Sequence, residues 1–237
     1  MAKSLAAIII AAIVVANPAW AKSDQTTCPM SAPSIHIDVR RVPMRVEADM
    51  GLEELRQAAA GHHQAPIVGA YIGTLGYAAE IDDTIAEVSP GRFCTMPRYI
   101  ILRLQPDRVI HIPREFVGDK CLSSLAHEHE AKHARADGAA LEQFRPALLP
   151  ALRAAVRNRP SDPKGSRADA LADLTNVLSA AVEHVLDQID ATRRQLDAAV
   201  DSAVELERLK RACQGRALQE QGEYHSVYPL NRHFASE

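Results

Sequence analysis

The sequence lacks a strong charge of either sign and has no long apolar run beyond its first residues. Its 237 residues carry 27 Lys and Arg against 30 Asp and Glu, a formal net charge of −3. This balance offers no electrostatic case for nucleic-acid binding, which depends on basic side chains that neutralise phosphates. No segment after residue 21 is apolar enough to span a bilayer, which takes about 20 residues. We therefore expect neither a nucleic-acid partner nor a membrane span in the processed protein.

The first 21 residues predict a secretory signal peptide. Lys3 supplies a positive charge, residues 5–16 are an unbroken apolar run, and Ala19-Trp20-Ala21 is typical of a cleavage site. The apolar run is shorter than a membrane-spanning helix. We expect export to the periplasm or the exterior, and a processed chain without tryptophan, because Trp20 is the single one in the sequence.

Cysteine is scarce, and its even number is informative. The four cysteines are Cys28, Cys94, Cys121 and Cys213. In an exported protein they predict two disulfides, with three possible pairings. We favour Cys94–Cys121, which would tie a strand to the motif helix described below, and Cys28–Cys213, which would tie the N-terminus to the last helix.

Residues 22–158 are predicted to form the core of the protein. Residues 34–47 alternate well enough for a strand, and a short helix is expected over 51–61. From Ile67 to Phe116, Tyr, Ile, Val and Thr gather between Gly, Pro and Asp, which predicts an antiparallel sheet. Within it, residues 99–104 and 108–112 read as a hairpin that turns at Pro106 and Asp107.

The second half of the chain is predicted to be helical. A helix is expected to begin near Asp119 or Ser123 and to bend or break at Gly138, Pro146 and Pro150. Residues 159–165 predict a linker. Residues 166–214 contain neither Gly nor Pro and carry an apolar heptad repeat, so we expect one long amphipathic helix that packs on another helix or on a partner chain. A polar tail, residues 215–237, follows.

The functional prediction rests on His129-Glu130-Ala131-Lys132-His133, which has the pattern H-E-x-x-H. Residues four apart lie just over one helical turn from each other, so both imidazoles project from one face. Two His ligands and a neighbouring Glu that acts as general base are the recurring arrangement of zinc hydrolases. Apolar residues on the histidine face predict burial of the pair. Lys132 stands where such helices prefer an uncharged residue, and His127 is expected at the surface.

A catalytic zinc needs a third protein ligand, and helix geometry limits its source. Asp137 lies about 12 Å from His129 along the helix axis and Glu142 about 20 Å, so neither is expected to reach the metal. The remaining candidates are the acidic residues of the last helix: Glu183, Asp187, Asp190, Asp197, Asp201 and Glu205. A donor for the developing oxyanion is also expected, from among Tyr99, His111, Arg114, Tyr224 and His225. The histidines at 36, 62 and 63 are interpreted as ordinary surface or hydrogen-bonded residues.

A signal peptide, a sheet, the H-E-x-x-H helix and a closing helix with Leu196-Asp197-x-x-x-Asp201-x-x-x-Glu205 follow one another in this chain. Over residues 30–215 this order resembles the predicted secreted zinc-dependent proteases that are classed among bacterial domains of unknown function. The resemblance implies a zincin-like α+β fold with an antiparallel sheet before the motif helix. It implies His129 and His133 as Zn²⁺ ligands and Glu130 as general base. It favours Glu205 as the third ligand, with Asp201 as the alternative.

The sequence therefore predicts an exported zinc metallopeptidase that acts on a protein or peptide substrate. In that mechanism Glu130 takes a proton from the zinc-activated water and later passes it to the leaving amine. One alternative is a non-catalytic structural or partner-binding protein that uses the heptad helix, including self-association through residues 166–214. A weaker alternative is a hydrolase that acts on a non-peptide amide of the cell envelope.

Overall fold

The computed structural model describes residues 27–30, 32–59 and 68–218, and it has an α+β fold. The predicted signal peptide, with Trp20, and the tail beyond residue 218 lie outside the described residues. The strands are β1 (Ser34–Val39), β2 (Arg45–Glu47), β3 (Ala70–Ser89) and β4 (Arg92–His111). The α-helices are α1 (Leu52–Ala59), α2 (Lys120–Arg157), α3 (Arg167–Val200) and α4 (Ala203–Arg211), with a 3₁₀ turn at Arg114–Phe116 and an irregular, kinked turn segment at Ala212–Leu218.

The sheet is mixed, with β4 at its centre. β3 and β4 form a long antiparallel hairpin that turns at Gly91, whose φ of +67° suits glycine. β1 and β2 both pair with β4 in the parallel direction, one after the other along its length. The prediction of an antiparallel sheet is therefore wrong for two of the three pairings, because residue alternation encodes which face is buried and not the direction of the neighbouring strand.

The predicted hairpin turn at Pro106 and Asp107 is also wrong. β4 continues through both residues, and Pro106 is paired with Leu75 of β3. Pro106 lies opposite the gap between β1, whose pairing ends at Leu104, and β2, whose pairing begins at Val109. No strand on that side needs the N–H that proline lacks, so the strand tolerates it.

Helix α2 carries the H-E-x-x-H motif and is longer than predicted. Of the two expected caps, Asp119 and Ser123, it uses Asp119, whose carboxylate accepts hydrogen bonds from the peptide N–H groups of Cys121 and Leu122. The expected breaks are absent from this helix, which runs unbroken to Arg157. Pro146 and Pro150 lie on its exposed face, where solvent can satisfy the carbonyl groups that lose a partner.

The predicted long helix over 166–214 is two helices. α3 ends at Val200, and Ser202 caps α4 by accepting a hydrogen bond from the peptide N–H of Glu205. Heptad positions such as Leu178, Val182 and Ile189 are buried, and α3 packs on α2 of the same chain. The apolar heptad positions of α3 therefore pack within the chain, and α2 and α3 form a helical hairpin that covers one face of the sheet.

The core between sheet and helices has two parts. The larger one joins β1, β3 and β4 to α3 and the C-terminal half of α2, with Leu102, Leu148 and Leu186 fully buried. The smaller one surrounds the motif and includes Tyr71 and Ile110. Among the described residues, no helix has both the length and the apolar character needed to cross a membrane.

Two disulfides are present, but neither pairing is the favoured one. They join Cys28 to Cys94 and Cys121 to Cys213. Cys94 lies near the hairpin turn, whereas α2 begins beyond the other end of β4. The intervening 17 residues of strand span roughly 55 Å, which keeps Cys94 out of reach of Cys121. The predicted linker is held at the same distal end, where Phe93 and Lys164 exchange backbone hydrogen bonds of 2.9 and 2.8 Å.

Candidate metal centre

The two histidines of the motif lie together under the helical hairpin. His129 and His133 are each 1% exposed, and their ring centroids are 5.0 Å apart. Their spacing on α2 aims both rings toward the junction of α3 and α4, as the helical period requires. His127, by contrast, is exposed, as predicted.

Asp201 meets both imidazoles at this junction. Its Oδ1 lies 3.1 Å from His133 Nε2 and 3.4 Å from His129 Nε2. The helical path of α3 ends one residue before Asp201, and α4 starts two residues after it. The end of α3 therefore positions the Asp201 carboxylate between the Nε2 atoms of His129 and His133.

The opposite nitrogen of each ring faces a second carboxylate. His133 Nδ1 lies 2.9 Å from Asp197 Oδ1, and His129 Nδ1 lies 3.2 Å from Glu205 Oε1. A carboxylate on Nδ1 fixes the ring orientation and leaves the Nε2 lone pair for a metal, which is how metal-binding histidines are usually supported. Asp197 and Glu205 therefore act on the rings from outside the group formed by the two Nε2 atoms and Asp201.

The donor set suits zinc in chemistry and in spacing. His129, His133 and Asp201 each offer one ligand atom, and these atoms lie within 4.8 Å of one another. Ligands at 2.0–2.1 Å from a tetrahedral zinc are roughly 3.3 Å apart. The two carboxylate-to-imidazole distances, 3.1 and 3.4 Å, bracket that value. Three protein ligands also leave the fourth position free, as catalytic zinc sites require.

The charges of the centre are strongly coupled. Burial by itself would lower the pKa of His133, but hydrogen bonds to Asp197 and Asp201 outweigh it and raise that pKa to about 10. Burial would raise the pKa of the Asp201 carboxyl, but its hydrogen bonds with His129 and His133 outweigh burial and hold that pKa well below the usual range. In the metal-free protein His133 is therefore an imidazolium between two carboxylates.

Glu130 is buried beside these groups. The residue is 0% exposed, and no side chain of the described residues hydrogen-bonds its carboxylate. Burial raises the pKa of Glu130, although the neighbouring charges of His129 and His133 oppose the shift. Gly69 permits the close approach of the chain before β3, because a Cβ there would lie 2.9 Å from Glu130 Cγ.

Glu205, the favoured third ligand, is engaged elsewhere. Besides His129 Nδ1, its Oε1 accepts from Lys132 Nζ at 2.5 Å, and Arg208 donates to both of its oxygens at 2.7 and 2.9 Å. Arg208 and Lys132 hold the pKa of Glu205 at about 2. The alternative, Asp201, is the residue that the structure places against both Nε2 atoms. Lys132, unusual in such a motif, has a partner in Glu205.

A buried polar cluster lies between α2 and α3, one helical turn beyond the contact of His133 with Asp197. Asp137 forms an ion pair with Arg193 and accepts a hydrogen bond from the hydroxyl of Tyr71 at 2.6 Å. All three residues are at most 5% exposed. Neither Arg193 nor Tyr71 was singled out from the sequence. The signal that could have found Arg193 is the four-residue spacing of positions 193, 197, 201 and 205, which matches that of 129, 133 and 137 on α2.

The remaining sequence candidates are dispersed. Glu183 accepts from Tyr77 at 3.4 Å, Asp190 pairs with Arg193 at 3.5 Å, and Asp187 is exposed. Among the expected oxyanion donors, Arg114 pairs with Glu54, His111 faces Asp49, and Tyr99 is 38% exposed. Further candidates, Tyr224 and His225, lie outside the described residues, as do His62 and His63, whereas His36 is exposed.

Comparison of the chain with protein-family models, with curated proteins and with solved structures finds no match. A function is therefore inferred from the site itself, which consists of His129, His133, Asp201 and Glu130. Two buried imidazoles and a carboxylate, with a further buried carboxylate beside them, are a donor set that suits a divalent transition metal.

Proposed function

We propose that this protein is a zinc-dependent hydrolase, and that its substrate is a protein or peptide. The observation that carries the proposal is the convergence of His129 Nε2, His133 Nε2 and Asp201 Oδ1 next to the buried carboxylate of Glu130. An exported metallopeptidase of zincin-like fold accounts for the H-E-x-x-H helix. Two disulfides are consistent with an extracellular protein.

Each residue of the centre has a role in this mechanism. His129, His133 and Asp201 would hold the metal, while Asp197 and Glu205 orient the two rings. When bound, zinc supplies a Lewis acid that polarises a substrate carbonyl and activates water for attack. Glu130 accepts the proton of the attacking water and returns it to the leaving amine. A raised pKa suits this exchange, because general bases work best when their pKa lies near the working pH.

The test compares the exported protein with its Glu130→Gln variant. Wild type is expected to contain about one zinc in this centre and to hydrolyse unfolded protein or a peptide library. Glu130→Gln is expected to keep the metal and to lose at least about 100-fold in turnover, since the amide cannot take a proton. Metal is measured by elemental mass spectrometry and cleavage by peptide mass spectrometry. Unchanged hydrolysis in the variant would exclude Glu130 as the base.

The burial of the centre favours a second candidate, in which zinc is a structural link between α2 and the α3–α4 junction. His129, Glu130 and His133 are at most 1% exposed, which restricts access of a substrate. The protein would then be a non-catalytic, partner-binding protein. Removal of zinc separates the two functions: a structural site predicts a large loss of thermal stability in a protein that never shows hydrolysis. A catalytic site predicts hydrolysis that chelation abolishes and added zinc restores.

A further inference from the structure

A second cluster of metal-ligating side chains lies where β2 and β4 end. Glu47, Asp49 and His111 each offer a ligand atom, and these atoms lie within 4.8 Å of one another. Glu47 and His111 are direct partners in the parallel ladder, and the peptide N–H of Ile112 donates to the Glu47 carbonyl at 2.8 Å. The backbone therefore fixes two of the three donors side by side.

The imidazole of His111 is the buried member of this cluster. Its side chain is 10% exposed, and Nδ1 lies 3.3 Å from Asp49 Oδ1. This distance is similar to those between Asp201 and the two imidazoles in the first centre. It is also the separation expected between two ligand atoms of a tetrahedral zinc. The side chains of Glu47 and Asp49 are 34% and 66% exposed, so the cluster opens to solvent on its acidic side.

The cluster is separate from the first centre. Tyr71 is paired with Ile110, and both belong to the buried cluster around the motif helix, so the neighbouring His111 points to the other face of the sheet. The two sites are nevertheless close, because a Cβ on Gly69 would lie 3.0 Å from the His111 carbonyl and 2.9 Å from Glu130 Cγ. The backbone at the end of β4 forms the wall between them.

We propose that Glu47, Asp49 and His111 form a second divalent metal site, specific for zinc or a similar transition metal. An imidazole with two carboxylates suits such ions, whereas Ca²⁺ and Mg²⁺ prefer oxygen ligands alone. The bound ion holds the segment after β2 against the end of β4. Arg45 pairs with one oxygen of Glu47 at 2.9 Å, but its side chain is 52% exposed, and such a pair yields readily to a divalent ion.

The test is a zinc titration of the metal-stripped exported protein against a chromophoric chelator. Wild type is expected to bind about two zinc ions, and His111→Gln or Asp49→Asn about one, with the affinity of the lost site reduced at least about 100-fold. Asp38→Asn, which changes an exposed carboxylate on β1 outside the cluster, is the matched control and is expected to keep both ions. A large excess of Ca²⁺ or Mg²⁺ is expected to displace neither ion.

The variants distinguish failure of this proposal from failure of the proposed function. His129→Ala is expected to retain the second ion alone. A wild type that binds one ion, lost in His129→Ala and kept in His111→Gln, would overturn the second site and leave the first. One ion lost in His111→Gln and kept in His129→Ala would do the reverse. Asp49→Asn changes an exposed side chain, so it tests the site even if His111→Gln fails to fold.

Discussion

Each imidazole of the first centre is held at both ring nitrogens by carboxylates. Asp201 bridges the two Nε2 atoms, and Asp197 and Glu205 each take one Nδ1. A ring held at both nitrogens cannot rotate without losing a charge-assisted hydrogen bond. The rings are therefore held in the orientation that the proposed metal site needs, which would lower the entropic cost of metal binding.

At the residue scale, the two acids on either side of His129 differ in their expected effect on zinc binding. Asp201→Asn is expected to raise the zinc dissociation constant at least about 100-fold, because it removes a ligand. Glu205→Gln is expected to raise it about 10-fold, since loss of an outer hydrogen-bond partner typically costs 10–100-fold. Competition with a chromophoric chelator measures both. An equal loss in the two variants would assign Glu205 as a ligand as well.

The charge of His133 predicts how zinc affinity depends on pH. Its pKa is raised to about 10 in the metal-free protein, so at neutral pH zinc must displace a proton. Affinity for the first centre is expected to rise at least about tenfold per pH unit from pH 7 to 9, because the proton of His133 is released and the pKa of His129 is raised as well.

Isothermal titration in buffers of different ionisation enthalpy counts that proton, with His111→Gln as the background so that the first centre is observed alone. A binding enthalpy that does not vary with the buffer would contradict the protonated state of His133.

At the element scale, α2 and α3 are joined by polar pairs spaced one turn apart. One pair joins His133 to Asp197, and the next joins Asp137 to Arg193, one turn further along the two antiparallel helices. A one-turn slip of α3 would place the wrong carboxylate at each imidazole. Buried ion pairs contribute little net stability, and setting the register between elements is their best-attested role. Here that register determines which carboxylate faces the histidines.

The pair between Asp137 and Arg193 can be tested by charge removal. Asp137→Asn is expected to cost about 3–5 kcal/mol, because it leaves the Arg193 guanidinium buried without its counter-charge. The triple variant Tyr71→Phe, Asp137→Leu, Arg193→Met removes the whole polar cluster and is expected to cost less. Urea unfolding in the presence of a chelator measures the two without the contribution of metal. A triple variant that is the less stable of the two would contradict this account.

At the scale of the whole molecule, the two disulfides secure opposite ends. Cys28–Cys94 lies near the hairpin turn, far from the histidines along β4. Cys121–Cys213 joins the start of the motif helix to the segment that follows α4. α4 carries Glu205 and begins two residues after Asp201. The second disulfide therefore restrains the part of the chain that completes the candidate metal centre.

Removal of each disulfide by paired Cys→Ser changes is expected to cost about 2–5 kcal/mol of stability, since both close long loops in the unfolded chain. Zinc affinity is expected to fall several-fold only in Cys121→Ser, Cys213→Ser, with Cys28→Ser, Cys94→Ser as its matched control. Thermal unfolding and chelator competition measure the two effects. A control variant that loses as much zinc would show that the effect is global.

Features with a short-range physical cause could be read from the amino-acid order alone. The helical period places His129 and His133 on one face, and the apolar residues on that face predict the burial that is observed. The cap at Asp119 and the buried heptad of α3 follow equally from local spacing. The rise per residue likewise excludes Asp137 as a ligand of a metal between His129 and His133, and in the structure Asp137 pairs with Arg193.

Tertiary structure decided everything that depends on which distant segments meet. Three such features join residues more than 60 positions apart. They are the parallel pairing of β1 and β2 with β4, the disulfides, and the contact of Asp201 with the two imidazoles. A linear pattern records the face on which a side chain lies and not the element opposite it. The break after Val200 places Asp201 between the two Nε2 atoms, whereas Lys132 and Arg208 hold Glu205 at the Nδ1 of His129. The motif therefore predicts two ligands and a base, and the packing of α3 on α2 brings Asp201, the proposed third ligand, to the two histidines.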